Sequence, residues 1–237
     1  MHLRSNLLLI ALLITSLPIY AFKLSPIVQS FEYKGKGATK TFRVVNSGSE
    51  EIKLEAEVHT RSIDINNKET REETEAFIVY PPLLDIEPGA SRAIRVTYTG
   101  KPVETEVAYR MIVRQIPNKL KKKKTNKSQI NFLLEYVASL YVAPKDIKPN
   151  LVVESAVKVN KNIELLFENK GTEHILLRHY KLVLEQGKVS QTISFKSEAF
   201  KKLGTQNILA GIKRRIILRD QKLKTGKVKA KFIRLKD

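Results

Sequence analysis

One stretch of the sequence, residues 128–144, constrains the fold more than any other. Its even-numbered positions form an unbroken apolar series: Ile130, Phe132, Leu134, Tyr136, Ala138, Leu140 and Val142. The positions between them are mixed, and strict alternation is typical of a β-strand with one buried face. At about 3.3 Å per residue this strand would be roughly 40 Å long, about twice a usual strand. A small β-sandwich can cover only part of it, so we expect another structure to cover the rest.

The rest of the chain is made of shorter alternating runs separated by glycine, proline and asparagine turns. Such spacing predicts an all-β fold of the sandwich type. Two patterns recur at nearly one offset. The pattern N-x-G-[ST]-E-x-I-x-L occurs at residues 46–54 and 169–177, and I-x-x-G-x-x-R-x-I-x-[VL] at residues 86–96 and 208–218. We interpret them as corresponding turns of a duplicated domain, although β-turns also reuse asparagine and glycine independently.

The duplication predicts two sandwich domains, residues 22–144 and 145–237. The boundary falls in a linker that contains Pro144 and Pro149, whose fixed φ angles make it stiff.

Residues 1–21 have the parts of a secretory signal peptide. Arg4 provides the positive charge, residues 7–17 the apolar segment, and residues 17–21 a cleavage region. The alternative is an uncleaved N-terminal anchor. We expect no stable membrane insertion by the later sequence. The absence of cysteine excludes disulfides and thiol nucleophiles, and an exported, disulfide-free chain is typical of the bacterial periplasm.

The chain is strongly basic, with a formal net charge of +19. Residues 118–128 contain six lysines, and we interpret Lys121, Lys122, Lys123 and Lys124 as a loop that steers a partner electrostatically. The alternative is an ordinary solvated loop. Since export removes nucleic acid from reach, we expect no nucleic-acid partner.

The sequence predicts a protein that is not an enzyme and has neither a cofactor nor a metal. H-E-x-x-H, G-x-S-x-G and G-x-x-x-x-G-K patterns are absent. His174 and His179 are five residues apart without a third ligand close in sequence, which does not indicate a metal site.

Two motifs and the long strand resemble the PapD-like periplasmic chaperones of the chaperone–usher pilus pathway. The motifs are YPPLLDIEPG at residues 80–89 and YRMIVRQIP at residues 109–117. The resemblance covers most of residues 23–144 and, more weakly, the second domain. It implies two immunoglobulin-like domains that meet at an angle, with the long strand along the cleft between them.

The resemblance also implies a function. Family members lend the long strand to a pilus subunit that lacks its own final strand, and then deliver the subunit to an outer-membrane usher. The subunit-binding residues would be Ile130, Phe132, Leu134 and Tyr136; an alternative assigns them to the core of the first domain. An empty donor strand could also pair with a second copy of the chain.

The sequence departs from the family at the site for the subunit's terminal carboxylate. The family's Arg and Lys at this site correspond to Val28 and Ser139 here, neither of which is a cation. Divergent members relocate the anchor, and the candidates are Arg110 and Arg114, with Arg43 and Arg95 behind them. The alternative is that each is a solvated strand arginine.

The sequence therefore favours a periplasmic chaperone for pilus or fimbria-like subunits. One alternative is a structural or adhesin-type immunoglobulin-like envelope protein that pairs through its long strand. Another is a basic scaffold that binds anionic envelope surfaces through the lysine loop.

Overall fold

The alternating runs of the sequence form short β-strands in the structure, a computed structural model that describes residues 22–117, 133–194, 207–219 and 222–235. Up to residue 144 the strands are β1 (Phe22–Ser25), β2 (Val28–Phe31), β3 (Thr39–Asn46), β4 (Ile52–Thr60), β5 (Ser62–Ile63), β6 (Glu69–Thr70), β7 (Phe77–Tyr80), β8 (Leu83–Ile86), β9 (Ser91–Tyr98), β10 (Val107–Ile116) and β11 (Glu135–Val142). Beyond it they are β12 (Leu151–Val159), β13 (Asn162–Asn169), β14 (Ile175–Leu176), β15 (Tyr180–Gln186), β16 (Val189–Ile193), β17 (Asn207–Ile208), β18 (Lys213–Arg219), β19 (Gly226–Lys227) and β20 (Lys229–Arg234). Short 3₁₀ turns occur at Gly35–Ala38 and Leu177–His179. The predicted all-β fold is confirmed.

The first half of the chain forms two packed sheets. One has the strand order β1-β3-β9-β7 and the other β2-β11-β10-β4-β8. Their facing side chains alternate along each strand and form one core, in which Phe42, Leu54, Ile94 and Met111 are fully buried. The remaining strands β5 and β6 form a separate hairpin.

The second half has its own core. Its sheets have the orders β18-β13-β12-β19 and β16-β15-β20, with a short pair β14-β17. Ile163, Leu165, Phe167 and Leu182 are fully buried between them. The first core uses residues up to Val142 and the second uses residues from Leu151 onwards, and the boundary at residues 144–145 stays a prediction. The proposed signal peptide, residues 1–21, lies outside the described residues.

The long strand predicted from residues 128–144 is seen in part. β11 begins at Glu135, and Leu133 and Leu134 are not in a strand, so a continuous strand through Leu134 is wrong. The end of the neighbouring strand β10 explains why β11 starts at Glu135. The N–H of Gln115 on β10 still donates to the Leu134 carbonyl at 2.9 Å, but Pro117, just past the end of β10, has no N–H to continue the ladder.

Both faces of β11 are buried near its end, for different reasons. Ala138, Leu140 and Val142 are fully buried in the first core, as the alternation predicts. Tyr141 points to the other face and is only 2% exposed, because it packs with Leu209 of the second domain. The second domain is therefore one structure that covers the outer face of this strand.

The two sequence repeats form turns with the same hydrogen bonds. The amide of Asn46 donates to the carbonyls of Glu50 (2.7 Å) and Ile86 (2.9 Å), and its Oδ1 accepts from the N–H of Gly48 (2.9 Å). The amide of Asn169 donates in the same way, to the carbonyls of Glu173 (2.7 Å) and Ile208 (3.2 Å). Its Oδ1 accepts from the N–H of Gly171 at 3.0 Å. The prediction of related turns in corresponding places is confirmed.

In the part of the chain that the structure describes, no helix is long and apolar enough to cross a membrane.

Candidate functional site in the cleft between the domains

A cavity of about 540 Å³ lies between the two halves of the molecule. Its walls are polar and apolar, and both halves contribute to them. The lining residues are Val28, Arg61, Ile63, Asn67, Glu69, Arg110, Ser139, Tyr141, His174, Leu176, Arg178 and Asn207.

Arg110 projects into this cleft from β10. The register between β10 and β11 places it opposite Ser139, and its Nη1 donates to Ser139 Oγ at 2.5 Å. Its Nε and Nη2 donate to the two carboxylate oxygens of Glu69 at 3.0 and 2.7 Å. This is the bidentate geometry in which arginine binds carboxylates most strongly.

The Glu69 carboxylate is held by two further arginines. Arg71 Nε donates to Oε1 at 2.7 Å and Arg61 Nε to Oε2 at 2.8 Å. Burial alone would raise the pKa of Glu69, but the hydrogen bonds from Arg110, Arg71 and Arg61 and the charge of Arg110 outweigh it and lower that pKa to about 2. Three guanidinium groups therefore surround one carboxylate, and the cluster has a net positive charge.

The β5–β6 hairpin positions Glu69, which pairs with Ile63 across it. The side chain of Asp64 closes the turn by accepting the N–H groups of Asn66 (2.9 Å) and Lys68 (2.8 Å). Asn67 has a φ of 73°, a left-handed conformation that asparagine tolerates better than most residues.

The same hairpin contacts the second domain. Ile63 packs in a small cluster with Tyr141 and Leu209. The N–H of Arg215 donates to the Ile65 carbonyl at 2.8 Å, and the guanidinium of Arg214 hydrogen-bonds the side chain of Asn67. The hairpin is therefore part of the joint between the domains as well as part of the cleft.

Arg114, the second anchor candidate, does not line the cavity. It lies four residues further along β10, with 41% of its side chain exposed, and forms ion pairs with Glu55 and Glu57 of β4. Arg43 and Arg95, the lower-ranked candidates, lie on β3 and β9 of the other sheet and do not line this cavity. Sheet membership separates them, because alternation along a strand does not specify which sheet it joins.

Val28 and Ser139 meet where the resemblance placed the family's cation pair. They are partners in the parallel ladder between β2 and β11. Val28 is exposed and uncharged, and Ser139 hydrogen-bonds Arg110. Arg110 thus brings a cation to this place from the neighbouring strand.

The donor-strand residues divide into two groups. Leu134 and Tyr136 are partly buried against the first core, and the Tyr136 ring lies 4.9 Å from that of Phe22. Ile130 and Phe132 lie outside the described residues, as do Lys121, Lys122, Lys123 and Lys124.

A second polar contact joins the domains at the rim of the cleft. The Glu106 carboxylate accepts both the backbone N–H of His174 (3.1 Å) and a hydrogen bond with its Nδ1 (2.7 Å). The His174 ring stacks on Tyr141, with ring centres 4.2 Å apart, and the Tyr141 hydroxyl hydrogen-bonds Asn207.

Sequence reasoning missed Glu69, Arg61 and the Glu106–His174 pair as parts of the site. Glu69 stood in a polar stretch without periodicity, and its partners are brought together only by the hairpin and by β10. The alternating charges of residues 69–73 are a weak signal that gives no direction. Among the described residues, His, Asp and Glu side chains do not form a group of three that could hold a metal ion.

Comparisons with known proteins identify the family. Residues 25–148, more than half of the chain, match the family described as pili and flagellar-assembly chaperone, PapD N-terminal domain. The chain therefore belongs to this family of pilus assembly chaperones, which are not enzymes. A search of curated protein sequences gives no significant match.

Several solved structures share the fold along nearly their whole length. One is the CsuC–CsuE chaperone–tip adhesion subunit complex of Acinetobacter baumannii, with 18% identity and a TM-score of 0.57, which covers 83% of this chain and 89% of that one. The SafA pilin–SafB chaperone complex of Salmonella enterica gives 15% and 0.57, covering 93% and 99%. The E. coli chaperone DraB gives 16% and 0.54, covering 92% and 97%. At this identity the likeness shows the fold, two immunoglobulin-like sandwiches.

Proposed function

We propose that this chain is a periplasmic chaperone that binds pilus or fimbria-like subunits by donor-strand complementation and delivers them to an outer-membrane usher. Family membership supports the chaperone role and the periplasmic location. The observation that carries the proposal is a backbone edge on β11, the strand along the cleft, which the strands of the described residues leave unpaired over residues 135–138.

β2 is too short to cover this edge. The β2 ladder pairs only Val28–Phe31 with residues 139–142 of β11. Over residues 135–138, no strand in the described ranges pairs with the side of β11 that faces away from β10. Backbone groups on such an edge need partners and accept an added strand, as chaperone–pilin complexes exemplify.

Apolar side chains before this edge provide the proposed affinity. Ile130 and Phe132 continue the alternation of the strand, and Leu134 and Tyr136 follow them at the border of the first core. Each large apolar side chain that a subunit buries contributes on the order of 1.5–3 kcal/mol. A few such contacts are enough for stable binding after the costs of ordering are subtracted.

Arg110 is the proposed anchor for the subunit's terminal carboxylate. A subunit strand that runs along the edge at residues 135–138, parallel to β11, must end near Ser139, where β2 takes over the pairing. The guanidinium of Arg110 hydrogen-bonds Ser139 at this point. Arg114, in ion pairs outside the cavity, is the weaker candidate.

The class of partner follows from the relatives. CsuC and SafB were each solved with a subunit of their pili, and we propose a comparable subunit with an incomplete sandwich as the partner here. The lysines at 121–124 would speed the encounter with an acidic subunit or usher, an effect that salt would weaken.

Copurification from periplasm tests the proposal. The test variant carries Ile130→Asp, Phe132→Asp and Leu134→Asp. The matched control carries three aspartates at exposed aliphatic positions of the second domain, Val159, Val189 and Ile217. We expect wild type and the control to bring down a small β-rich envelope protein and the test variant to lose it.

Circular dichroism must show that both variants fold. Because Leu134 contacts the first core, the pair Ile130→Asp and Phe132→Asp is the substitute if the triple variant unfolds. A folded test variant that keeps its partner would place the binding surface elsewhere. Self-association of wild type without a distinct subunit would favour the structural or adhesin-type alternative.

A further inference from the structure

The arginine proposed to bind the subunit carboxylate already binds a carboxylate of its own chain. Glu69 occupies the Nε–Nη2 edge of Arg110 with both oxygens, the arrangement that a terminal carboxylate would adopt. A subunit that uses this edge must therefore displace Glu69.

In the free protein, Glu69 neutralises the largely buried charge of Arg110. The Arg110 side chain is only 16% exposed, and a largely buried charge without a partner is strongly destabilising. Since Val28 and Ser139 offer no negative charge, Glu69 supplies the counter-charge while no subunit is bound.

Two other arginines can hold Glu69 when it is displaced from Arg110. Arg71 binds its Oε1 and Arg61 its Oε2 independently of Arg110. When Glu69 leaves Arg110 it keeps these two charged partners, so the exchange does not leave a buried carboxylate unpaired. The cluster of three cations and one anion has enough positive charge for two carboxylates.

We propose that Glu69 is a placeholder for the subunit's terminal carboxylate, and that Arg61 and Arg71 hold Glu69 after the subunit has taken Arg110. The identity of the incoming group as a subunit carboxylate rests on the function proposed above. The exchange itself is a property of the free chain and is tested without a subunit. Glu69 then sets the affinity of the site, since every incoming carboxylate competes with it.

Sodium acetate is the probe, followed through the Nε–Hε NMR signal of Arg110, which Arg110→Lys assigns. Wild type is compared with Glu69→Gln, which keeps the shape and removes the charge. We expect acetate to bind Glu69→Gln about tenfold or more tightly than wild type. Sodium chloride at equal concentration is the control for simple charge attraction, and its effect should be much smaller.

A second variant keeps Glu69 and tests whether Arg61 and Arg71 hold it after it leaves Arg110. Arg71→Gln removes one of the two residues that hold the displaced carboxylate, so acetate should bind more weakly than to wild type. Arg92→Gln, on β9 of the other sheet, makes the same charge change and should leave acetate binding unchanged. This comparison also serves if Glu69→Gln does not fold.

The idea fails if acetate binds Glu69→Gln no better than wild type, if it binds none of the variants, or if chloride has the same effect. It also fails if Arg71→Gln strengthens binding. If acetate displaces Glu69 but the protein captures no subunit, the placeholder proposal stands and the proposed chaperone function is contradicted. If the protein captures a subunit but acetate does not displace Glu69, the chaperone function stands and the placeholder proposal is contradicted.

Discussion

The two turns built around Asn46 and Asn169 are locally alike and serve different purposes. Each asparagine is almost fully buried and satisfies the carbonyls and N–H groups of its own corner with the same side-chain atoms. In each, a later glycine, Gly89 or Gly211, adopts a φ of 71° and donates its N–H to the asparagine carbonyl. The first turn serves only its own sandwich in the described contacts.

The second turn has become the joint between the domains. The Oδ1 of Asn169 also accepts the N–H of Asn150 in the linker, at 3.2 Å. The N–H of Thr172 donates to the Lys148 carbonyl at 2.8 Å, and the Thr172 carbonyl accepts the N–H of Glu106 at 3.0 Å. The same local turn thus only closes its own sandwich in the first domain, whereas in the second domain it also contacts the linker and the first domain.

The largest test of this comparison is to remove each asparagine in turn. Asn169→Ala should lower the free energy of unfolding by on the order of 3–4 kcal/mol and Asn46→Ala by roughly 2–3 kcal/mol, because each leaves buried backbone groups without partners. The difference, about 1 kcal/mol, reflects the extra bond to Asn150. Urea denaturation measures both, and equal losses would contradict a special role for the second turn.

Acid should weaken the interdomain contact of the β5–β6 hairpin before it weakens the contact between the Asn169 turn and the linker. The pKa of Glu69 is lower in the folded protein, about 2, than its ordinary 4.5, so the ionised form stabilises the fold. This contribution, about 2–3 kcal/mol, is complete above pH 4.5 and is lost as the pH falls towards 2. Glu69→Gln should lack this part of the pH dependence in urea denaturation.

Amide hydrogen exchange can locate the loss. In acid the N–H of Arg215, bound to the hairpin, should lose protection before that of Thr172, bound to the linker. Simultaneous loss at both positions would mean that the two joints are one cooperative unit.

The smallest expected effect concerns the glycine of each turn. A Cβ on Gly171 would lie 2.3 Å from the Lys148 carbonyl oxygen and 2.4 Å from the Asn150 nitrogen, both backbone atoms of the linker. Gly171→Ala should therefore lower the free energy of unfolding by about 2 kcal/mol. Gly48→Ala, which places the same methyl group in the first turn, is the comparison. Thermal unfolding of the two variants decides this, and equal costs would show that the linker yields.

Much of the fold could be predicted from the sequence because its signals are local. Alternation predicted the strands, and the spacing of asparagine and glycine predicted the paired turns, since both reflect backbone geometry within a few residues. The alternation of β11 also predicted which of its residues enter the core. The start of that strand could not be predicted, because it depends on where its partner β10 ends.

The site was less predictable. Arg110 could be selected because it lies in a motif that resembles the family, but Glu69 could not. Its role depends on a hairpin that returns beside β10 and brings three arginines from separate positions to one carboxylate. Electrostatic clusters of this kind leave no periodic trace in a sequence.

Local sequence patterns were enough to predict an all-β chain with two related halves and one unusually apolar strand, because side-chain alternation and turn chemistry act over short distances. Three features become visible only in the folded chain: Tyr141 packs on the second domain, no described strand pairs with the outer edge of β11 over residues 135–138, and Arg110 is already paired with Glu69. Those facts depend on which distant segments meet, and burial and charge pairing are properties of such meetings rather than of any single segment.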